Sequence, residues 1–337
     1  MKAIVYDQAG LEPEDPRALY DAEVAVPTPG PRDLLVRIHA IAVNPVDTKV
    51  RRGMAPDGQR ILGWDAAGIV TAVGAEVTLF QPGDEVFYAG SLVRPGCNAE
   101  YALVDERIAG HKPAKLDFAN AAALPLTSLT AWELLFDRLG VAEGGGEGQT
   151  LLIIGAAGGV GSILTQIASR LTRMTVIGTA SRPETQDWVR RLGAHHVVDH
   201  HRGLQEELKR VGVPSVTHVA SLTHTDAHYP QLIEALAPQG RLGVIDDPAT
   251  LDAVPLKRKA LSLHWELMFT RSLYQTPDMI RQHEILERVS RLLDEGMLRS
   301  TLGEHFGRID AANLRRAHAV QESGKARGKI VLEGFGS

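Results

Sequence analysis

An apolar run, Leu151–Ile154, leads directly into Gly155-Ala156-Ala157-Gly158-Gly159-Val160-Gly161, and helical spacing starts there. Glycines in such a turn let the backbone approach a phosphate closely, and the first N–H groups of the following helix point at it. The chemistry this suits is the binding of a dinucleotide pyrophosphate, with Ala156, Gly158, Gly159, Val160 and Gly161 as contacts. The match to G-x-G-x-x-G is incomplete, because Ala156 stands where the first glycine is expected. The competing reading is a glycine-rich turn that serves only tight strand–helix packing.

Further polar residues close the strands that follow. An acidic residue at the end of the second strand would accept the ribose hydroxyls of NAD; the sequence has Thr179-Ala180-Ser181-Arg182 instead. A hydroxyl and a guanidinium suit a 2′-phosphate, so the expected cofactor is NADPH. His200, closing the next strand, adds a donor. Thr223 and Asp246 end two more strands on the same carboxyl edge, where ligands bind in such sheets. The alternative for Ser181 is a plain cap on the helix beginning near Pro183. His224 and His228 have the i, i+4 spacing of a helical metal pair, and His195-His196 with His200-His201 form a second histidine-rich stretch. Neither has an acidic or cysteine partner at a recognisable metal-binding spacing.

These residues require a scaffold, and the chain's texture supplies one. From about residue 124 to 268 apolar strands alternate with helices, beginning with LPLTSLTAWELLFDRL and TLLIIG and ending at RLGVID. That alternation builds a doubly wound parallel sheet. Residues 1–123 read as β-rich: LLVRIHAIAVN alternates over Leu35 to Ile41, and Pro27, Pro29, Gly30, Pro31, Pro82 and Gly83 punctuate the turns. The tail from 269 holds a long helix (DMIRQHEILERVSRLLDEG) and a final apolar strand, KIVLEGF. The segment LSLHWELMFTRSLYQT reads equally as an outer sheet edge, a dimer contact or a substrate wall.

Composition narrows the class. The chain has 337 residues, 44% hydrophobic and 23% charged, with a net charge of −5, which gives no electrostatic reason for a nucleic-acid or anionic-membrane partner. Its single cysteine, Cys97, rules out an internal disulfide framework. No apolar run approaches the roughly 20 residues of a membrane helix. MKAIVYDQAG has no signal-like apolar block, so a cytoplasmic enzyme with a small-molecule substrate is expected.

The ordered blocks VNPVDTKVRRG (43–53), ILGWDAAGIVTAVG (61–74), FQPGDEV (80–86), AALPLTSLTAW (122–132), IIGAAGGVG (153–161) and ARGKIVLE (326–333) extend over nearly the whole chain. In them the chain resembles the medium-chain dehydrogenase/reductase superfamily, and within it the quinone oxidoreductase (zeta-crystallin-like) branch with its zinc-type alcohol dehydrogenase-like proteins. The resemblance implies an α/β protein. Residues 1–123 and 269–337 would form a GroES-like catalytic domain and 124–268 a Rossmann NAD(P)-binding domain, with substrate in the cleft. It also implies Thr130 as a cofactor contact, and a homodimer paired through the outer strand within Leu261–Leu267.

The superfamily's zinc ligands do not carry over. Zinc-using members have a cysteine where this chain has Asn44 and a histidine–glutamate pair where it has Trp64-Asp65; the third ligand position falls near Leu126. Amide, indole and isobutyl side chains are not the set zinc prefers, and the four-cysteine structural lobe is missing too. Without that Lewis acid, hydride delivery to a quinone, enone or related activated carbonyl is the expected reaction, since the charge spreads into an enolate or phenolate that hydrogen-bond donors stabilise. Asn44 is the first candidate donor, with Asp47 and Trp64, then Thr48 and Lys49, as further catalytic candidates. Asn44-Pro45 is also a plain turn initiator, and Asp47 is placed to pair with Arg51 one turn on. The rival functions are an alcohol dehydrogenase with atypical metal ligands and a non-catalytic dinucleotide-binding protein.

Overall fold

The computed structural model describes residues 1–336, which divide into two compact units: Met1–Leu129 with the chain from Phe269 onward, and Thr130–Met268. The division falls inside the helix Pro125–Trp132, so residues 124–129 belong to the first unit rather than the second.

In the first unit a seven-stranded sheet is organised around Asp33–Val43, which pairs antiparallel with Ala66–Val73, Tyr101–Asp105 and Lys329–Glu333. The alternation read over Leu35 to Ile41 continues only to His39; from Ala40 to Val43 every side chain is buried. That stretch has partners on both sides, Ala66–Val73 and the terminal strand. Register here places chemistry. Ile330 lies opposite Val43, which brings Lys329 level with Asn44. Ile41 lies opposite Ala66, and the Ala42 N–H donates to the Asp65 carbonyl at 3.0 Å. Three strand ends therefore converge on Asn44, Asp65 and Lys329.

The second unit is a six-stranded, wholly parallel sheet. Its order is His196–Val198, Thr175–Thr179, Thr150–Ile154, Val216–Ser221, Leu236–Val244, Ser262–Trp265. The chain starts in the middle, builds outward one way, then crosses over and builds the other way. This is the doubly wound order whose reversal point, beside Thr150–Ile154, opens a ligand crevice at the carboxyl edge. Four of the five residues of Thr150–Ile154 are buried, as helices on both faces require. Leu152, Ile154 and Val219 pack with Leu204 and Leu208 of helix Leu204–Arg210 and with Leu232 of helix Thr225–Ala235. Burying each such leucine contributes about 1.5–3 kcal/mol. Among the described residues no helix is long and apolar enough to cross a membrane.

Candidate functional site

The glycine turn sits where the sheet order reverses. Gly155 has φ +78, and its N–H donates to Thr179 Oγ1 at 3.0 Å, tying the first strand to the second. Helix Gly159–Leu171 follows, with Gly158 as its N-cap and no side chain capping it, which leaves its first turn suited to an anion. Gly161 is required sterically: a Cβ there would lie 2.4 Å from the Gly155 carbonyl oxygen and 2.6 Å from Ala156 Cα. The departure at Ala156 is accommodated on the neighbouring strand. Gly178 lacks the Cβ that would stand 2.8 Å from the Ala156 methyl, so the missing glycine of the turn reappears one strand over.

The strand ends expected to select the cofactor are adjacent. The Ala180 N–H donates to the Val198 carbonyl at 3.0 Å, so Ser181-Arg182 and Asp199-His200 leave neighbouring strands together. The N-cap of helix Pro183–Arg191 is Arg182 rather than Ser181, and no side chain caps it. The exposed Arg182 guanidinium lies 3.3 Å from Glu184. His200 is half-buried, and its Nδ1 is buried without a hydrogen-bond partner. Thr223 lines the turn, with its Cγ2 beside Gly155, and its hydroxyl is 2.7 Å from His224 Nδ1. Thr130 is buried in helix Pro125–Trp132.

One residue at this edge has a structural partner that the sequence does not announce, and one expectation needs correction. Asp246 ends its strand as read, but its carboxylate accepts the Thr225 N–H at 2.9 Å and bonds the Thr225 hydroxyl. It caps the start of helix Thr225–Ala235 through both oxygens, each of which keeps a further lone pair. His224 and His228 are not a helical pair: His224 precedes the helix in the left-handed region, φ 51, and only His228 lies within it.

In the first unit, the three converging strand ends form a buried ionic network. Lys329, 3% exposed, donates from Nζ to Asp65 Oδ2 and to the Val43 carbonyl, both at 2.9 Å, and to Asn44 Oδ1. Asn44 Nδ2 donates to Asp65 Oδ2 at 2.9 Å, with the Trp64 and Ala42 carbonyls at 3.3 and 3.4 Å. Asp65 Oδ1 accepts the Leu126 N–H at 2.8 Å. Burial pushes the Asp65 carboxyl up from its ordinary range; Lys329 and the amides of Leu126 and Asn44 oppose that. The Cys97 thiol, 3.5 Å from the Asp65 carbonyl, is pushed up by burial as well.

Of the catalytic candidates read from sequence, Asn44, Asp47, Thr48 and Trp64 are buried and Lys49 is exposed. Every donor on Asn44 is already engaged, so a substrate oxygen would have to displace Asp65 or a backbone carbonyl. Asp47 closes the start of helix Pro45–Gly53 by accepting the Asn44 N–H at 2.8 Å. It does not pair with Arg51, which instead bonds Glu322 and the Leu11 carbonyl. Burial raises the Asp47 carboxyl to about 7 against the pull of the Asn44 amide and Lys329. Trp64, 1% exposed, donates from Nε1 to the Ser91 carbonyl at 3.1 Å and meets Phe269 edge-on. Thr48 donates to the Pro45 carbonyl at 2.9 Å.

The donors present do not suit zinc. Leu126 offers only an amide, Trp64 has no ligand atom, and the oxygens of Asn44 and Asp65 already hold an ammonium. Among the described residues no three histidine, cysteine or carboxylate side chains are arranged to hold a metal ion. Sequence reasoning missed Lys329. Its one local signal is a cation heading an otherwise apolar strand, KIVLEGF.

Comparison with known proteins agrees with this architecture. Residues 30–114 match the alcohol dehydrogenase GroES-like domain and residues 192–332 the zinc-binding dehydrogenase family. A zinc-type alcohol dehydrogenase-like protein of Staphylococcus aureus is 42% identical over 311 residues, 91% of this chain and 92% of the relative. A Rhizobium etli CFN 42 protein, assigned provisionally as a zinc-dependent alcohol dehydrogenase, has a crystal structure 55% identical with a TM-score of 0.96, covering 100% of this chain and 99% of the other. The quinone oxidoreductase of Coxiella burnetii is 28% identical with a TM-score of 0.79, covering 99% of both chains.

Proposed function

As this chain belongs to the medium-chain dehydrogenase/reductase superfamily and is an oxidoreductase of that family, we propose that it is an NADPH-dependent reductase of quinones, enones or related activated carbonyls that works without catalytic zinc. One observation carries the reading: the Lys329 ammonium is bonded to Asn44 and Asp65, two of the positions from which zinc-using members would hold their metal. A second cation there would face a like charge and a donor set already committed. A reaction that needs no Lewis acid follows.

The residues present fit a dinucleotide. The uncapped start of helix Gly159–Leu171, with Gly158, Gly159, Val160 and Gly161, would hold the pyrophosphate. Ser181, Arg182 and His200 would receive the 2′-phosphate, and Thr223 would border the same edge. When bound, the reduced nicotinamide supplies the hydride. Acceptors that take hydride at carbon and spread the charge over a conjugated system need the least help from the protein. Asn44, Asp47 and Trp64 act here as positioning residues: with Lys329 they fix helix Pro45–Gly53 and the strand ends around it. The Coxiella relative's activity is of the same class.

The test is turnover of NADPH and NADH with a panel of quinones, enones, simple aldehydes and alcohols, with and without chelator, on protein whose zinc content is measured. Chelator-insensitive NADPH oxidation by quinones or enones, at near-zero zinc, is expected. Stoichiometric zinc with chelator-sensitive alcohol oxidation would return the alcohol dehydrogenase reading. Cofactor binding without turnover on any of the panel would return the non-catalytic one.

A further inference from the structure

Four imidazoles gather at the carboxyl edge of the parallel sheet, from two separate stretches of chain. His200 and His201 leave the outermost strand, His224 precedes helix Thr225–Ala235, and His228 lies in it. The ring centroids of His200 and His201 are 4.2 Å apart, and His228 meets His200 edge-on at 5.6 Å. His224 is near enough to both His200 and His228 to disfavour their charged forms. Backbone geometry puts the group beside the place where Ser181 and Arg182 leave the adjacent strand.

One ring nitrogen at the centre of the cluster is unsatisfied. His200 Nδ1 is buried with no partner. Burial, then repulsion from its histidine neighbours, holds His200 below its ordinary value, and His228 is lowered in the same way. The acids facing them are few and engaged. Asp199 accepts the His201 N–H at 3.0 Å and lies 3.5 Å from Arg202; Asp246 is committed to Thr225; Asp226, exposed, accepts the Ala227 N–H at 2.9 Å. A metal would satisfy such rings, but among the described residues no three side chains are arranged to share one. A phosphate dianion would also satisfy them. It supplies a countercharge to His200 and His228, whose charged forms are disfavoured now, and a protonated ring gains a second donor.

Building on the NADPH reading, we propose that His200, His201, His224 and His228 form a cradle for the 2′-phosphate of the dinucleotide, with His200 and His228 taking up protons as it binds, so that affinity for NADPH rises as pH falls while affinity for NADH does not. Linkage sets the size: each proton taken up tightens binding by up to about tenfold per unit fall in pH.

The test compares 2′,5′-ADP with 5′-ADP by calorimetry on the intact protein, at about pH 7.5, where a phosphate of second pKa about 6 is already a dianion. Repeating the titration in buffers of different ionisation heat counts the protons. The expected result is tighter binding of 2′,5′-ADP, with uptake of up to about one proton beyond that of 5′-ADP and an affinity that rises toward pH 6.5. The variants H200Q and H228Q should reduce the uptake. Tighter 2′,5′-ADP binding without proton uptake would overturn the cradle and leave the NADPH reading standing on Ser181 and Arg182. Equal binding of the two probes would remove both. Uptake unchanged in both variants would overturn the cradle by placing the protons elsewhere. The wild-type buffer series decides even if a variant fails to fold.

Discussion

Replacing Lys329 by methionine tests the buried network most directly. The ammonium and the Asp65 carboxylate are 3% and 0% exposed and 2.9 Å apart. At an effective dielectric constant of about 20 their attraction is about 6 kcal/mol, most of it offset by the cost of taking both ions out of water. Methionine keeps the length of the stem and removes the charge, leaving a buried carboxylate without its cation and two acceptors, Asn44 Oδ1 and the Val43 carbonyl, without their donor. Losing one partner of such a pair costs about 3–5 kcal/mol. Without its ammonium, the folded-state value of Asp65 rises further above its unfolded value. The penalty therefore grows as pH rises above about 4 and is relieved as pH falls toward it, where the unfolded carboxyl is protonated too. The double variant K329M/D65N should recover most of the loss: the new amide still accepts the Leu126 N–H, and Asn44, freed from the ammonium, can turn its oxygen toward the new Nδ2. Urea unfolding followed by circular dichroism at pH 7 and pH 5, on both single variants and the double, measures this. A loss below about 1 kcal/mol for K329M, or a double variant as unstable as the sum of the singles, would refute the account.

Three further outcomes are expected. Arg182→Ala should weaken NADPH by about 1.5–3 kcal/mol, the value of a charge-assisted contact, and leave NADH nearly unchanged in fluorescence titrations; tighter NADH binding by the wild type would contradict the assignment. Trp265, half exposed on the outermost strand Ser262–Trp265 with Leu267 close by in sequence, marks an apolar edge that a second copy would cover; light scattering should give a dimer for the wild type and a monomer for Trp265→Lys. Glu266, buried and then repelled by Glu133, is pushed up to about 8 despite Arg138 at 2.8 Å, so the folded protein keeps a proton that the unfolded chain gives up near pH 4.3. Stability should therefore fall as pH rises through that window, by at most about 1.4 kcal/mol per unit, and Glu266→Gln should flatten the profile in thermal unfolding.

What could be read in advance depended on distance along the chain. The glycine turn, its strand and its helix are contiguous, so local spacing located them, and alternation of apolar strands and helices announced the parallel sheet. The Ala156 departure looked like a defect because its remedy, Gly178, lies on the next strand and is evident only when the two are seen in contact. Asp246 was placed at the correct strand end, yet nothing local indicates that its carboxylate is held by Thr225. His224 and His228 have helical spacing, but the helix begins after His224. Asn44 was read as the first candidate donor and Asp47 as a further one; their surroundings depend on Lys329, which only the antiparallel register of Asp33–Val43 with Lys329–Glu333 brings to them.

That register also has a consequence for the birth of the protein. The carboxylate at position 65 and its cation are 264 residues apart, and the whole of the second unit is made between them. At roughly 5–20 residues per second the ribosome needs on the order of tens of seconds to cover that span. During this interval the nascent chain holds a complete, foldable parallel-sheet unit and a first unit whose central strand still lacks its neighbour Lys329–Glu333. The second unit is thus free to fold while the first waits, and a chain broken off before Lys329 carries a naked acid at the centre of an unfinished sheet. Such fragments expose the edge of Asp33–Val43, the kind of surface that chaperones and proteases recognise, until Lys329–Glu333 is made and covers it.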